Sequence, residues 1–426
     1  MENKTNRVVT RQYLVPFILI TSLFALWGFA NDITNPMVAA FQKVMQISAT
    51  KASMVQFAFY GGYTTMAIPA ALFIRRYSYK SGILLGLGLY AIGAFLFIPA
   101  AAYQQFSFFC ISLYILTFGL AFLETTANPY ILSMGTKETS TRRLNLAQSF
   151  NPMGSLTGMA IASFVVLRNL QSAEVNNFGD LDSASQNAIR LHDLAVIRDP
   201  YVAIGLVVLC MFIIIALTKM PRTQIKEPDM RASDTLRRLW RNVPYREGVM
   251  AQMFYVGAQI MVWTFIIQYA ENIGIKASDA QLCNMLAMGL CLTGRFVSSI
   301  FLMRYINTRL LLAIFGIGAA CCTVGAIAIV GIGGLCCLIG ISLFMSLMFP
   351  TIYGIALENV STEDSTIGAA FLVMAILGGA LMPPMQGLII VQGSIAGFPA
   401  VNLSFILPLI CFIVVTSYGF RAYRYR

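Results

Sequence analysis

The sequence predicts an all-α membrane protein in which twelve transmembrane helices form two six-helix bundles. Three observations predict it: the composition, the number of long apolar runs, and a charged stretch that divides these runs six and six. Of the 426 residues, 58% are hydrophobic and 11% are charged, and the mean hydropathy is +0.73. Soluble domains carry roughly 25% charged residues, so this composition is typical of a chain that lies in lipid.

Twelve apolar runs are each long enough to cross about 30 Å of hydrocarbon as a helix. The boundary between the ninth and tenth runs is marked by Gly331, Gly333 and Gly334 alone. The runs lie near residues 13–41, 53–74, 82–102, 107–132, 145–168, 200–218, 249–271, 280–303, 309–331, 333–358, 366–391 and 399–420.

Lys and Arg residues are distributed unequally between the two sides that these runs define. With the N-terminus inside, 22 of the 29 lie on the inner side, 6 lie on the outer side, and Arg295 lies within a run. This bias follows the positive-inside rule and predicts a multi-pass membrane protein with both termini cytoplasmic. The polar stretch 1–11 leads into a run too long for a signal peptide. The net charge of +11 therefore reflects topology, and no nucleic-acid partner is expected.

The longest inner polar stretch sets the predicted domain boundaries. An N-terminal bundle covers 1–218, a cytoplasmic linker covers 219–248 and a C-terminal bundle covers 249–426. Within the linker, the residues from Ser233 to Arg241 predict a short amphipathic helix on the membrane surface.

The two halves also carry matching positions. The segment Phe73–Tyr77 matches Phe301–Tyr305 at an offset of 228 residues, and Gly154 matches Gly378 at an offset of 224. A shared offset near half the chain length predicts parallel repeats with a site between two bundles, as in transporters.

Two acidic residues, Asp32 and Glu124, lie well inside apolar runs. A charge at bilayer depth costs at least ~2.5–3.5 kcal/mol on insertion scales, so an intramembrane acid is by default a candidate functional residue. Both acids fall in the first half, which indicates a proton or substrate relay, and we predict that they are the proton-coupling pair. The alternative for each is structural: a buried polar cluster around Asp32, and a capped helix end around Glu124.

Amide and indole side chains accompany both acids. Asn31 and Asn35 share the region of Asp32, and Trp27 offers an apolar face of the sort that stacks on a sugar ring. Asn128, Gln148 and Asn151 accompany Glu124. In the second half no acid lies at matching depth; Gln259 stands at the offset of Asp32, with Trp263 one turn later. The predicted substrate site comprises these neutral residues: Trp27, Asn31, Asn35, Asn128, Gln148, Asn151, Gln259 and Trp263.

Arg295 and the cysteines are residue types that can bind ligands, but we predict structural roles for them. Arg295 is predicted to be a gating or structural residue that bonds carbonyl groups or a helix C-terminus, rather than a substrate ligand. The nine cysteines fall in apolar runs without CxxC spacing, so they are predicted to be packing residues rather than ligands or disulfides. No metal or cofactor other than the coupling proton is expected.

Two other classes of membrane protein fit the sequence less well. An intramembrane enzyme needs a motif such as HExxH, whereas the one histidine, His192, lies in a predicted outer loop at about 169–199. A channel needs rings of charge or a filter, usually from an oligomer. The chain is therefore predicted to be a monomeric transporter whose partners are a small-molecule substrate and membrane lipids.

These residues carry a family resemblance over nearly the whole chain. The motifs that carry it are Leu-Trp-Gly-Phe-Ala at 26–30, Leu-Glu-Thr-Thr-Ala-Asn-Pro at 123–129, Asn-Leu-Ala-Gln-Ser-Phe-Asn at 145–151, Gly-Ala-Gln at 257–259, Gly-Arg at 294–295 and Phe-Pro-Thr-Ile-Tyr at 349–353. Through these motifs the chain resembles the fucose/hexose–proton symporters of the major facilitator superfamily, most closely the L-fucose permeases. The resemblance implies alternating access driven by protons, with Glu124 and Asn151 facing a central sugar cavity.

The chain departs from the family pattern at two positions. The family's first acid aligns with Asn35, so Asp32 is displaced by one turn, and Phe349 stands where the fucose permeases have tyrosine. Proton-coupled uptake of L-fucose is the expected function. Glucose, galactose or an N-acetylhexosamine is the alternative substrate, and an effluxer or a nucleoside carrier is a more distant alternative.

Overall fold

The computed structural model describes residues 9–47, 51, 54–173, 181–221, 232–358, 360–361, 364–395 and 397–424, and most of this part of the chain is helical. In chain order the α-helices are Leu14–Met45, Met54–Arg76, Tyr79–Phe95, Phe97–Tyr103, Phe106–Ser133, Ser140–Gln148, Asn151–Ala160, Ser183–Leu217, Ala232–Arg241, Val243–Asn272, Ala277–Val297, Met303–Tyr305, Thr308–Ala328, Ile332–Met345, Met348–Glu358, Ser365–Met374, Gly378–Ile390, Ala400–Ser404 and Ile406–Arg424. Short 3-10 or π-helical turns lie at Arg11–Tyr13, Ile161–Val166, Leu167–Asn169, Gln171–Ala173, Ser298–Leu302 and Ala375–Leu377.

Within the described residues, twelve helical segments are long and apolar enough to cross a membrane, which confirms the predicted number. We number them spans 1 to 12. Their bounds are Leu14–Thr34, Phe57–Arg76, Tyr79–Tyr103, Phe106–Ser133, Ser140–Asn169, Ser183–Leu217, Val243–Asn272, Asp279–Tyr305, Thr308–Ala328, Ile332–Glu358, Ser365–Ile390 and Ala400–Arg424.

The boundary between spans 9 and 10 lies at the glycines that the sequence indicates. Gly331, between the two helices, has a φ of 100°. Glycine adopts this left-handed conformation without the penalty that a Cβ atom would impose. Spans 11 and 12 are joined by a short antiparallel hairpin in which β1 (Ser394–Ile395) pairs with β2 (Phe398–Pro399).

Several of the spans are interrupted along their length. Span 5 breaks at Ser149–Phe150, span 10 breaks at Ser346–Leu347, and span 11 passes through a 3-10 turn at Ala375–Leu377. At such a break, backbone carbonyl groups lose their intrahelical partners and become acceptors for side chains. The interruptions of spans 5 and 11 are separated by about the same number of residues as the matching positions of the two halves.

The prediction of a loop at about 169–199 is wrong over most of that range, which is helical. Helix Ser183–Leu217 begins well before the apolar run at 200–218 and contains His192. The Asp182 side chain caps it by accepting a hydrogen bond from the backbone N–H of Ser185 at 3.3 Å. Because the first turns are polar, a search for apolar runs does not detect them. Asp193, buried in this helix, accepts the backbone N–H groups of residues 171 and 172, each at 2.9 Å.

The structure forms two compact units. The first unit comprises Ile18–Ala127 and Met153–Arg222, and the second comprises Met1–Phe17, Asn128–Pro152 and Thr223–Arg426. The domain division 1–218, 219–248 and 249–426 stays a prediction.

Matching glycines pack matching helices together inside each unit. In the first unit, a Cβ atom on Gly154 would lie 1.7 Å from the carbonyl oxygen of Ala25. In the second unit, a Cβ atom on Gly378 would lie 2.1 Å from the carbonyl oxygen of Met253. Gly154 and Gly378 are 224 residues apart, and the residues that they face, Ala25 and Met253, are 228 residues apart. Spans 5 and 1 therefore pack as spans 11 and 7 do, which supports the parallel repeats.

The linker contains the predicted amphipathic helix, at Ala232–Arg241. It is attached to the rest of the second unit by Arg238, whose guanidinium group donates to both carboxylate oxygens of Asp364, at 2.8 and 2.6 Å. The next residue, Leu239, is buried, whereas Trp240 is 68% exposed.

Candidate functional site

In the first unit, Asp32 lies in span 1 with its side chain buried. The side chains of Ser155 and Asn31 are the hydrogen-bonding neighbours of its carboxyl group. Ser155 lies in span 5 between Gly154 and Gly158, which let the backbones of spans 5 and 1 approach closely. This close packing holds a hydroxyl group against the acid, so Asp32 has polar partners although it is buried inside the first unit.

Span 2 presents two tyrosines to the two acids. Tyr60 interacts electrostatically with Asp32, and Tyr63 interacts with Glu124. The tyrosines are three residues apart on helix Met54–Arg76 and therefore share one face. Glu124, in span 4, is buried to the same extent as Asp32, each 8% exposed. Both predicted coupling acids thus lie in the first unit, and each has a tyrosine of span 2 as a neighbour.

Trp27 is held in place by its neighbours. Its indole N–H donates a hydrogen bond to the hydroxyl oxygen of Tyr63 at 3.2 Å. Its ring lies 4.9 Å, between centroids, from that of Phe24. One residue earlier, the carbonyl oxygen of Leu26 accepts a hydrogen bond from Tyr90 at 3.1 Å. The side chain that the sequence assigns to sugar stacking is therefore fixed by a residue that also faces Glu124.

In the second unit, three of the predicted site amides come from spans 4 and 5. Gln148 donates to the side-chain oxygen of Asn128 at 2.9 Å, and both side chains are buried. Asn151 is half-buried just after the break in span 5. Asn128 follows Glu124 by one helical turn on span 4, so the acid and the amide share a face of that helix.

Span 7 supplies the predicted residues of the C-terminal half. Gln259 and Trp263 are four residues apart on this helix, and both are half-buried. The indole N–H of Trp263 donates to the hydroxyl oxygen of Ser342 at 3.1 Å. Each of the two tryptophans of the predicted substrate site therefore has its N–H bonded to a hydroxyl group of a neighbouring span, Tyr63 for Trp27 and Ser342 for Trp263.

Arg295 bonds carbonyl groups at two helix breaks. Its guanidinium group donates to the carbonyl oxygen of Gln148 at 3.0 Å, where the first helical part of span 5 ends. It also donates to the carbonyl oxygen of Ser346, at the break in span 10. Arg295 is 4% exposed, and helix C-termini carry partial negative charge that favours such a cation. This geometry supports a structural or gating role, which stays a proposal.

The first helical part of span 5 makes further bonds inside the second unit. Arg142 donates to the carbonyl oxygens of Ser299 at 2.9 Å and Ile300 at 3.1 Å. Asn145 donates to the hydroxyl of Thr351 at 3.1 Å. Residues 140–152 are therefore attached to spans 8 and 10, both through their own side chains and through side chains of those two spans.

One predicted site residue cannot be placed in detail. Asn35 belongs to helix Leu14–Met45, but its side chain lies outside the described part of the structure. All nine cysteines are described, and all are free thiols. Among the described residues, no group of three or more His, Cys, Asp or Glu side chains is arranged to hold a metal ion.

The sequence analysis missed Tyr60, Tyr63 and Ser155. The tyrosines have a recognisable signal, since Tyr60-Gly-Gly-Tyr63 places two hydroxyl groups on one face of an apolar helix with no bulk between them. Ser155 has a weaker signal, since its place against Asp32 depends on the close approach of two helices.

The sequence matches the profile of the Major Facilitator Superfamily over residues 18–383. The chain belongs to the major facilitator superfamily. It is 61% identical to an L-fucose-proton symporter of Haemophilus influenzae, over 98% of this chain and 99% of that protein. It is 31% identical to a glucose/galactose transporter of Brucella abortus, over 94% and 92%.

A solved structure confirms the fold. The crystal structure of the Escherichia coli fucose:proton symporter superimposes with a TM-score of 0.87 at 32% identity, covering 97% of this chain and 99% of that one. The present chain, as a member of this family with twelve candidate membrane spans among its described residues, is therefore a multi-pass membrane protein with the predicted all-α architecture. The relatives are transport proteins, as the sequence predicts, and not enzymes.

Proposed function

We propose that this chain takes up L-fucose together with protons by alternating access. The observation that carries the proposal is a pair of buried acids in the first unit of a chain that is 61% identical to an L-fucose-proton symporter. Buried carboxyl groups can gain and lose protons as access changes, and intramembrane acids serve this role in transporters.

The proposal assigns roles to the residues of both units. Asp32 and Glu124 carry the coupled proton. The indole faces of Trp27 and Trp263 stack on the sugar ring, because a pyranose presents apolar C–H faces. The amide side chains bond its hydroxyl groups, each with donors and an acceptor to offer. These amides are Asn31, Asn35, Asn128, Gln148, Asn151 and Gln259.

The proposed setting is the bacterial inner membrane, with both termini cytoplasmic and the chain acting as a monomer among membrane lipids. The positive-inside bias of its Lys and Arg residues supports this orientation.

Proton coupling is tested with cells that express the chain in weakly buffered medium. Adding L-fucose is expected to alkalinise the medium, and a protonophore is expected to abolish accumulation. Cells with the empty vector provide the control. Accumulation that survives the protonophore and follows a sodium gradient would contradict the proton assignment.

A glucose or galactose symporter is the second candidate. The 31% identity to a glucose/galactose transporter and the phenylalanine at position 349 favour it. Thermal-shift measurements on the purified protein with L-fucose, D-glucose, D-galactose and N-acetyl-D-glucosamine separate the candidates. The transported sugar raises the melting temperature because it binds the folded state.

A further inference from the structure

Tyr63 lies between a proposed proton carrier and a proposed sugar-stacking ring. Its hydroxyl oxygen accepts the indole N–H of Trp27 at 3.2 Å, and Glu124 is an electrostatic neighbour of the same side chain. Tyr63 is 5% exposed, so bulk water does not compete for these interactions. All three side chains belong to the first unit and come from three different spans.

The chemistry of the hydroxyl group determines the direction of these interactions. A tyrosine hydroxyl carries one proton and can also accept hydrogen bonds, whereas an indole N–H can only donate. The bond from Trp27 therefore occupies an acceptor site of Tyr63 and leaves the hydroxyl proton available for donation. An ionised carboxylate is the strongest acceptor that such a proton can find.

The other groups around Tyr63 do not change charge in the physiological range. Tyr60 lies on the same helix, and Tyr90 faces Tyr63 from span 3. Both are phenols, which titrate near pH ~10 in water. Glu124 is therefore the neighbour of Tyr63 whose charge a transport cycle can change.

We propose that Tyr63 is a positioning residue that couples the charge of Glu124 to the orientation of Trp27. The proposal rests on the proposed function, in which Glu124 carries the proton and Trp27 meets the sugar. When Glu124 is ionised, Tyr63 donates to it, becomes a better acceptor and holds the indole firmly, because consecutive hydrogen bonds strengthen one another. When Glu124 takes up a proton from solvent, that donation weakens and the indole ring is released. Tyr63 keeps its own proton throughout.

The chain permits a direct spectroscopic test because it has three tryptophans, Trp27, Trp240 and Trp263. The parent for the test is the full chain with Trp240→Phe and Trp263→Phe, in which Trp27 is the sole indole. Its emission is recorded without sugar as the pH is raised from 5 to 10. The emission is expected to shift along one titration, which is expected to disappear when Glu124→Gln is added to the parent.

Adding Tyr63→Phe is expected to abolish the shift while Glu124 still titrates. Tyr90→Phe is the matched control, since it also removes a buried tyrosine hydroxyl near Trp27 but leaves the bond between Trp27 and Tyr63, and it should preserve the shift. A parent without a pH-dependent shift, or a Tyr63→Phe variant that keeps the whole shift, would overturn the proposal.

A second measurement separates positioning from folding and from the proposed function. In the otherwise native chain, Tyr63→Phe is expected to weaken sugar binding, and to weaken it no further when Trp27→Phe is already present. Additive effects on sugar binding would overturn the proposal. A melting temperature near that of the native chain identifies folded variants. If native cells fail to accumulate L-fucose, the proposed function fails, yet the sugar-free titration still decides whether Tyr63 couples Glu124 to Trp27.

Discussion

At the residue scale, Glu124 offers the sharpest test of proton coupling. Glu124→Gln keeps the size and the hydrogen-bonding capacity of the side chain but removes its titratable proton. We expect accumulation against a gradient to be lost, whereas exchange of labelled for unlabelled sugar continues because exchange needs no net proton movement. Cells that express equal amounts of the native chain provide the comparison. Accumulation at the native level would reduce Glu124 to a structural residue.

Asp32 raises the separate question of where the second acid must lie. Positions 32 and 35 are three residues apart on one helix, so their Cβ atoms lie ~5–6 Å apart and a carboxylate at either can reach the same region. Asp32→Asn is expected to lose accumulation but keep exchange. Moving the acid, with Asp32→Asn and Asn35→Asp together, is expected to restore part of the accumulation. A well-expressed double variant as inactive as the single one would show that position 32 has a geometry of its own, in which Ser155 takes part.

The residues that sequence predicts and those that it misses differ in a physical way. Asp32 and Glu124 stand out because a charge in an apolar run is costly, and Arg295 stands out for the same reason. Tyr63 and Ser155 do not, because a hydroxyl group in an apolar helix costs little and is common. Their importance depends on which side chains three helices bring together, and a linear pattern does not contain that information.

At the element scale, the glycine contacts make a prediction about stability. Gly154→Ala and Gly378→Ala would each place a Cβ atom against a backbone carbonyl of a neighbouring span, where no side-chain rotation relieves the clash. We expect each to destabilise its unit by about 1–3 kcal/mol and to lower the melting temperature of the purified protein. Gly289→Ala is the control, because nothing lies within 4 Å of its added Cβ atom and alanine favours a helix. Unchanged melting temperatures would show that the spans separate easily.

The attachment of the linker helix predicts a pH-dependent stability. Burial raises the pKa of the Asp364 carboxyl group, but hydrogen bonds from Arg238, Thr235 and Ser361 outweigh it and leave the pKa below its ordinary value. A carboxylate whose pKa is lowered by folding stabilises the folded state fully above its unfolded pKa of about 3.9. That contribution is lost as the pH falls through the lower folded value.

Asp364→Asn is therefore expected to lower the melting temperature at pH 7 but not at a pH below the lowered pKa of Asp364, where the native carboxylate is protonated too. The effect should correspond to about 1 kcal/mol, because the Arg238 side chain is 38% exposed and water weakens the pair. Asp199→Asn removes the carboxylate of an exposed pair with Arg198 and should change little at either pH. Equal losses at both pH values for Asp364→Asn would show that packing, and not charge, attaches the linker.

Helices were predicted from sequence more accurately than their interruptions. The apolar runs locate the spans because lipid requires long apolar segments with satisfied backbones. The breaks at Ser149–Phe150 and Ser346–Leu347 have no comparable signal, since they depend on donors elsewhere in the fold. Arg295 supplies such a donor to both regions. Its position was visible in the sequence, but its two acceptors were not.

At the scale of the whole molecule, topology follows from two simple physical rules. The number of spans follows from the thickness of hydrocarbon that each must cross, and the orientation follows from the side that retains Lys and Arg. Both rules use sums over many residues, so single errors at helix ends do not change the result. The early start of helix Ser183–Leu217 illustrates this, because the polar turns that were missed alter a loop but not the number of spans.

The predicted orientation can be measured with two cysteine substitutions. Lys137, between spans 4 and 5, and Lys276, between spans 7 and 8, are both exposed and fall on opposite sides of the predicted topology. In intact cells stripped of their outer membrane, Lys276→Cys is expected to react with a membrane-impermeant maleimide. Lys137→Cys is expected to react only after the inner membrane is opened. The native chain is the control, and its background should be low because all nine native cysteines lie within spans. Labelling of Lys137→Cys in intact cells would reverse the orientation and place both termini outside.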